Sequence, residues 1–126
     1  MRGYQAGRCN IGYRQRLRRS VVAALAFALA AALVAASILG WLPKPLLVVV
    51  FVPLTVGFEW GIQAYEAFCV RLAVFGEYDF RSQSDGTRGV VPDPESREAD
   101  RSHAVTITLT AIGAAAVATA LLVAVV

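Results

Sequence analysis

Glu59, Gln63 and Glu66 are the residues best placed to do chemistry. They interrupt the otherwise apolar start of the stretch Leu46 to Phe75, at positions i, i+4 and i+7. That spacing puts all three on one face of a helix. A carboxylate at the centre of a membrane-spanning helix costs roughly 3 kcal/mol and marks a functional candidate. Two chemistries suit such a face: handling of a proton or cation, and hydrogen bonding that locks a neighbouring helix. With Leu46 at one membrane boundary, Glu59 lies ~20 Å along the helix, still inside the hydrocarbon, and Glu66 reaches the headgroups. The expected partners of Glu59 are Gln63, one turn away, and a threonine of the last apolar run.

The remaining reactive side chains make no recognisable site. His103 is the single histidine and abuts the last apolar run, where it reads as an interfacial or capping residue. Cys9 and Cys69 lie in different segments without a CxxC spacing or a histidine partner, so they read as ordinary thiols rather than metal ligands. P-loop, GxGxxG, HExxH and GxSxG patterns are absent. The expectation is a protein that is not an enzyme, with no catalytic residue, no metal and no cofactor.

The elements that must carry the polar face are apolar. The chain has 126 residues, of which 57% are hydrophobic and 17% charged. Ser20 to Pro43 and Ala104 to Val126 contain no charged residue. Each run exceeds the ~18 residues that signal a transmembrane helix. A membrane protein of one domain follows: an all-α fold with three transmembrane helices. The predicted limits are a basic tail at 1–19, helices at 20–42 and 46–75, a polar loop at 76–103, and a last helix at 104–126. The second helix is expected to extend into the interface at its end. Leu42-Pro43-Lys44-Pro45 leaves room only for a tight turn, so the first two helices are predicted to form an antiparallel hairpin. Pro53 is expected to kink or loosen the second. No soluble part is expected after the last span.

Small residues suggest how the helices meet. Ala24, Ala28, Ala32, Ala36 and Gly40 recur every four residues along the first helix, and Gly57 and Gly61 form a GxxxG in the second. Lipid tails give helices no hydrophobic reason to associate, so close backbone approach along small residues becomes the means. The predicted contact sets Ala28, Ala32 or Ala36 near Gly57 or Gly61.

Charge sets orientation. Residues 1–19 hold six arginines and no acid, against Lys44 alone in the hairpin turn. Basic residues beside a first span stay in the cytoplasm. The N-terminus and the 76–103 loop are thus predicted to be cytoplasmic and the C-terminus outside, in a plasma membrane. Arg14, Arg16, Arg18 and Arg19 are candidate contacts for anionic lipid headgroups. Tyr4 and Tyr13 are too sparse to make a nucleic-acid stacking platform, so no nucleic-acid partner is expected. Arg18-Arg19-Ser20 loosely fits a twin-arginine signal, but the run that follows is longer than the ~7–15 residues of a signal core.

Two functions fit these features. One is an accessory, assembly or structural membrane subunit that packs with itself as a homo-oligomer or with a larger membrane complex. The other is an oligomeric small channel, transporter or holin-like pore former that uses Glu59.

Overall fold

The computed structural model describes residues 4–80 and 88–126. Arg2 and positions 81–87 of the polar loop lie outside the described residues. The order of elements is α1 (Tyr13–Ile38), a 3-10 helix (Lys44–Val50), α2 (Phe51–Glu66), α3 (Val70–Phe75), β1 (Glu77–Asp79), β2 (Arg88–Val90) and α4 (Pro94–Val125). Three helical stretches are long and apolar enough to cross a membrane: Tyr13–Ile38, Lys44–Glu66 and Pro94–Val125. Most of each stretch is left uncovered by the rest of the chain.

The limits of these elements differ from the sequence reading for local reasons. α1 starts at Tyr13, because nothing after Gly12 breaks a helix and arginine is a good helix former. The arginines from Arg14 to Arg19 are thus its first turns rather than a tail. Gly40 ends the same helix with φ +82, and no atom lies within 4 Å of the side-chain position it lacks. Its use is the left-handed turn, not packing. Pro53 falls in the first turn of α2, where a missing N–H breaks no helical bond, and the residues before it wind as the tighter 3-10 form.

The second predicted helix is two helices. α2 stops at Ala67, whose φ of 55 is left-handed, and α3 follows from Val70. Asp93 caps α4 by accepting from the Glu95 amide at 3.3 Å. With Pro94 as its first residue and no breaker before Ala104, α4 starts ten residues earlier than expected. The fold is accordingly mostly helical with a small antiparallel pair, Glu77 opposite Val90 and Asp79 opposite Arg88. Three-residue strands leave no readable period in a sequence.

α2 packs on both α1 and α4. Ala30 of α1, Val50, Leu54 and Ala115 of α4 form the apolar cluster within the spans. α3 lies on α4 through Phe68, Ala73, Ala104 and Ile107. A third cluster, Cys9, Ile11, Ala67, Cys69, Leu72 and Phe80, is built by the segment before α1.

That segment is a strap. Asn10 and Ile11 donate their amides to Ala67 O, and Gly12 donates to Asp79 O. At its other end Tyr4 donates its hydroxyl to Asp100 Oδ2 at 2.7 Å, and the Gly7 amide donates to Asp100 Oδ1 at 2.7 Å. Burial, and then the hydrogen bond to the Asp100 carboxylate, push the Tyr4 hydroxyl well above the ordinary tyrosine range. A raised folded pKa stabilises the fold below the unfolded value of ~10 and is lost as pH climbs beyond it. The melting temperature in detergent should therefore fall faster above pH ~10 in the wild type than in Tyr4→Phe. Parallel slopes in the two proteins would count against the Tyr4–Asp100 bond.

The α1–α2 contact corrects the predicted packing. Ala24, Ala28, Ala32 and Gly40 are exposed and Ala36 is half-buried; the buried face carries Ala23, Ala26, Ala30 and Ser37. A side chain at Gly57 would begin 2.8 Å from the Phe27 ring, and one at Gly61 would begin 3.8 Å from Ala23 Cβ. The join at Gly57 is thus large against small: Phe27 fills the space the glycine leaves, and stacks edge-on to Phe58 at 5.2 Å. Gly57→Leu is expected to destabilise by about 2 kcal/mol through overpacking. Phe27→Ala in the same chain should recover most of that loss. Thermal melts of the two single variants and the double variant measure the coupling.

Candidate functional site

The polar face on α2 is built into the helix packing. Glu59 Oε1 accepts from Gln63 Nε2 at 3.0 Å and from Thr108 Oγ1 of α4 at 3.2 Å. These are the two kinds of partner the residue spacing suggests. Gln63 is buried and its Oε1 accepts from Arg19 Nε of α1 at 3.2 Å and from the Val70 amide at 3.4 Å. Arg19 goes on to Gln15 through Nη1, and to Cys69 Sγ through Nη2 at 2.9 Å. Its guanidinium also lies over the Trp60 ring, 5.6 Å from the centroid. One chain of contacts therefore runs Thr108, Glu59, Gln63, Arg19, Cys69 and joins α4, α2, α1 and the start of α3.

Glu59 is linked to a guanidinium at one remove. Gln63 turns its amide N–H to the carboxylate and its carbonyl to Arg19, so it relays polarisation between the two. The remaining side of Glu59 faces a cleft that also takes in Arg18, Arg71 and Trp60. What this arrangement does chemically is hold three helices in one register. In the same geometry a carboxyl group sits beside a cleft rimmed with guanidinium groups.

Glu66 stands apart from this network. Its Oε2 is 3.2 Å from His103 Nε2, within ion-pair reach but without hydrogen-bond alignment. His103 also meets the Phe68 ring edge-on at 4.7 Å. The helical spacing of Glu66 with Glu59 and Gln63 thus does not extend into shared bonding. The two sides of α2 serve separate sites.

The arginines divide in the same way. Arg14 and Arg18 are exposed, as headgroup contacts need to be. Arg16 donates to Ala64 O at 2.9 Å and Tyr65 O at 3.4 Å, two carbonyls at the end of α2. A cation there is favoured by the helix dipole. Arg16 and Arg19 are thus structural as well as basic, a role no sequence spacing shows because their partners lie more than 40 positions away. Asn10 and Asp100, both fully buried, were likewise outside the expected site, and neither stands in a readable motif.

No protein-family model, curated protein or solved structure matches this chain. The functional argument rests on the geometry above.

Glu59→Gln and Glu59→Leu separate shape from apolarity. The glutamine keeps an acceptor for Gln63 and Thr108, and should fold and melt close to wild type. The leucine leaves the Gln63 amide without its acceptor and is expected to lose about 2 kcal/mol. A leucine variant as stable as the wild type would show that the network does not hold the helices.

Proposed function

We propose that this protein is a non-catalytic integral membrane subunit that packs with itself or with a larger membrane partner. The observation that carries the reading is the use made of Glu59. The most costly polar group in the spans is engaged by Gln63 and Thr108 in joining helices, while most of the apolar surface of those helices is left for lipid or further protein. The exposed small-residue face of Ala24, Ala28 and Ala32 suits a second helix at close range. Contacts of Arg19 with Gln63, Ala23 with Gly61 and Phe27 with Gly57 run in opposite directions along α1 and α2, which supports an antiparallel hairpin. The six arginines of residues 1–19 favour a cytoplasmic N-terminus and 76–103 loop, with the C-terminus outside a plasma membrane. Light scattering of the protein purified in mild detergent, with identification of co-purified chains, tests the assembly. A lone monomer without a companion would overturn it.

A second reading is favoured by the cleft beside Glu59. An oligomer could line a small channel, transporter or holin-like pore with this carboxylate and the guanidinium rim of Arg18 and Arg71. Ion leak through liposomes is its test. Equal leak with the wild type and with Glu59→Gln would remove the carboxylate from any such path.

A further inference from the structure

We propose that the protein binds one anionic phospholipid in a two-part cleft on the side of α2 that carries Glu66. One part, about 530 Å³, is an apolar groove between Phe27 of α1 and Ile107 and Thr110 of α4, with Gly57, Gly61 and Ile62 of α2 as its floor. The other, about 600 Å³, is polar and is lined by Gly7, Arg8 and Arg16. The two have Tyr65, Glu66 and His103 in common, so they lie side by side. Each is of the size of an ordinary ligand site.

The groove exists because of what α2 lacks. Gly61 has only the Ala23 methyl within 4 Å of its missing side chain, so a chain of methylenes can sink between the helices there. From Tyr65 at the rim to Gly57 the floor runs ~12 Å along the helix, away from the end of α2 and into its apolar part. Thr106 on the far wall bonds back to Ser102 O and makes no polar demand on an occupant.

The polar part is set for one negative charge. Arg16 is anchored by two of its donors at the end of α2, and a guanidinium has further donors to offer. Arg8 projects from the turn that the Gln5 carbonyl closes on the Arg8 and Cys9 amides. Against these two cations stands Glu66, whose carboxylate is already turned to His103. The two guanidinium groups outnumber the one carboxylate, which suits the polar part to a phosphodiester. A free anion fills the polar part only. A phosphate tethered to an acyl chain fills both, with its phosphate level with the end of α2 and its chain against Gly61 and the Phe27 ring that covers Gly57. Basic pockets between transmembrane helices are suited to such headgroups.

The experiment is native mass spectrometry of the full chain in a neutral detergent, titrated with phosphatidylglycerol or with phosphatidylcholine of the same acyl chains. One phosphatidylglycerol should be retained per chain, in preference to phosphatidylcholine. Arg8→Ala should weaken phosphatidylglycerol about fivefold, the effect of one basic group near an anionic lipid, and leave phosphatidylcholine unchanged. Gly61→Leu should weaken both lipids by filling the groove. Thr110→Leu fills it from the exposed wall of α4 and serves if the glycine variant fails to fold. Equal retention of the two lipids, wild-type affinity in Arg8→Ala, or displacement of phosphatidylglycerol by millimolar inorganic phosphate would each overturn the proposal.

Discussion

Asn10→Ala should lower the stability of the protein by about 3 kcal/mol, the largest loss expected from any single side chain in the strap. Asn10 is fully buried and plugs the elbow between α2 and α3. Its Nδ2 donates to Cys69 O at 3.1 Å and its Oδ1 accepts from the Cys69 amide at 2.6 Å. Alanine leaves that amide unpaired in a dry cluster. The Cys69 carbonyl keeps its bond from the Ala73 amide, so the loss falls on the donor. Asn10→Asp keeps the acceptor but turns a second oxygen towards the carbonyl, and should be no better. Detergent-solubilised melts measure the loss, and the labelling rate of Cys69, now buried, reports where it occurs. Unchanged melting and labelling in both variants would remove the plug from the account.

Asp100→Ala should free the strap from α4. The carboxylate is fully buried and satisfies Tyr4 and Gly7 at once, at 2.7 Å each. Hydrogen bonds to a charged group are worth about 1.5–3 kcal/mol apiece. A loss of about 3 kcal/mol in docking raises the open population, and with it tryptic cleavage after Arg8, by roughly 100-fold. Asp100→Asn retains one acceptor and should fall between. A cleavage rate that does not change on substitution would mean that residues 4–9 are held by other contacts.

The helical frame was legible because charge is excluded from long runs: Ser20 to Pro43 and Ala104 to Val126 identify themselves by what they lack. The bonds of Glu59 were legible for a different reason. A buried acid needs donors, and Gln63 at i+4 and the threonines of α4 were the donors in reach. The packing face of α1 was not. Alanine occurs on every side of that helix, so the stripe at Ala24, Ala28 and Ala32 could not be told from the buried set at Ala23, Ala26 and Ala30. Phe27 decides between them by filling the notch at Gly57, and a search for small residues on both sides passes over it. The strap was illegible because its bonds reach backbone groups and one carboxylate far along the chain. Arg16 reads as a solvated cation until the carbonyls of Ala64 and Tyr65 are placed beside it.

The strap also imposes an order on biogenesis. Tyr4 and Asp100 are separated by 96 positions. At a synthesis rate of ~5–20 residues per second, the ribosome takes roughly 5–20 s to make the second partner after the first. Asn10 meets Cys69 sooner, across 59 positions. During that interval α1 is already made, while Tyr4 and Gly7 still lack the Asp100 carboxylate. The strap is thus made before α1 and docks only after α4 has begun, so the segment that closes the fold is older than the helices it closes on.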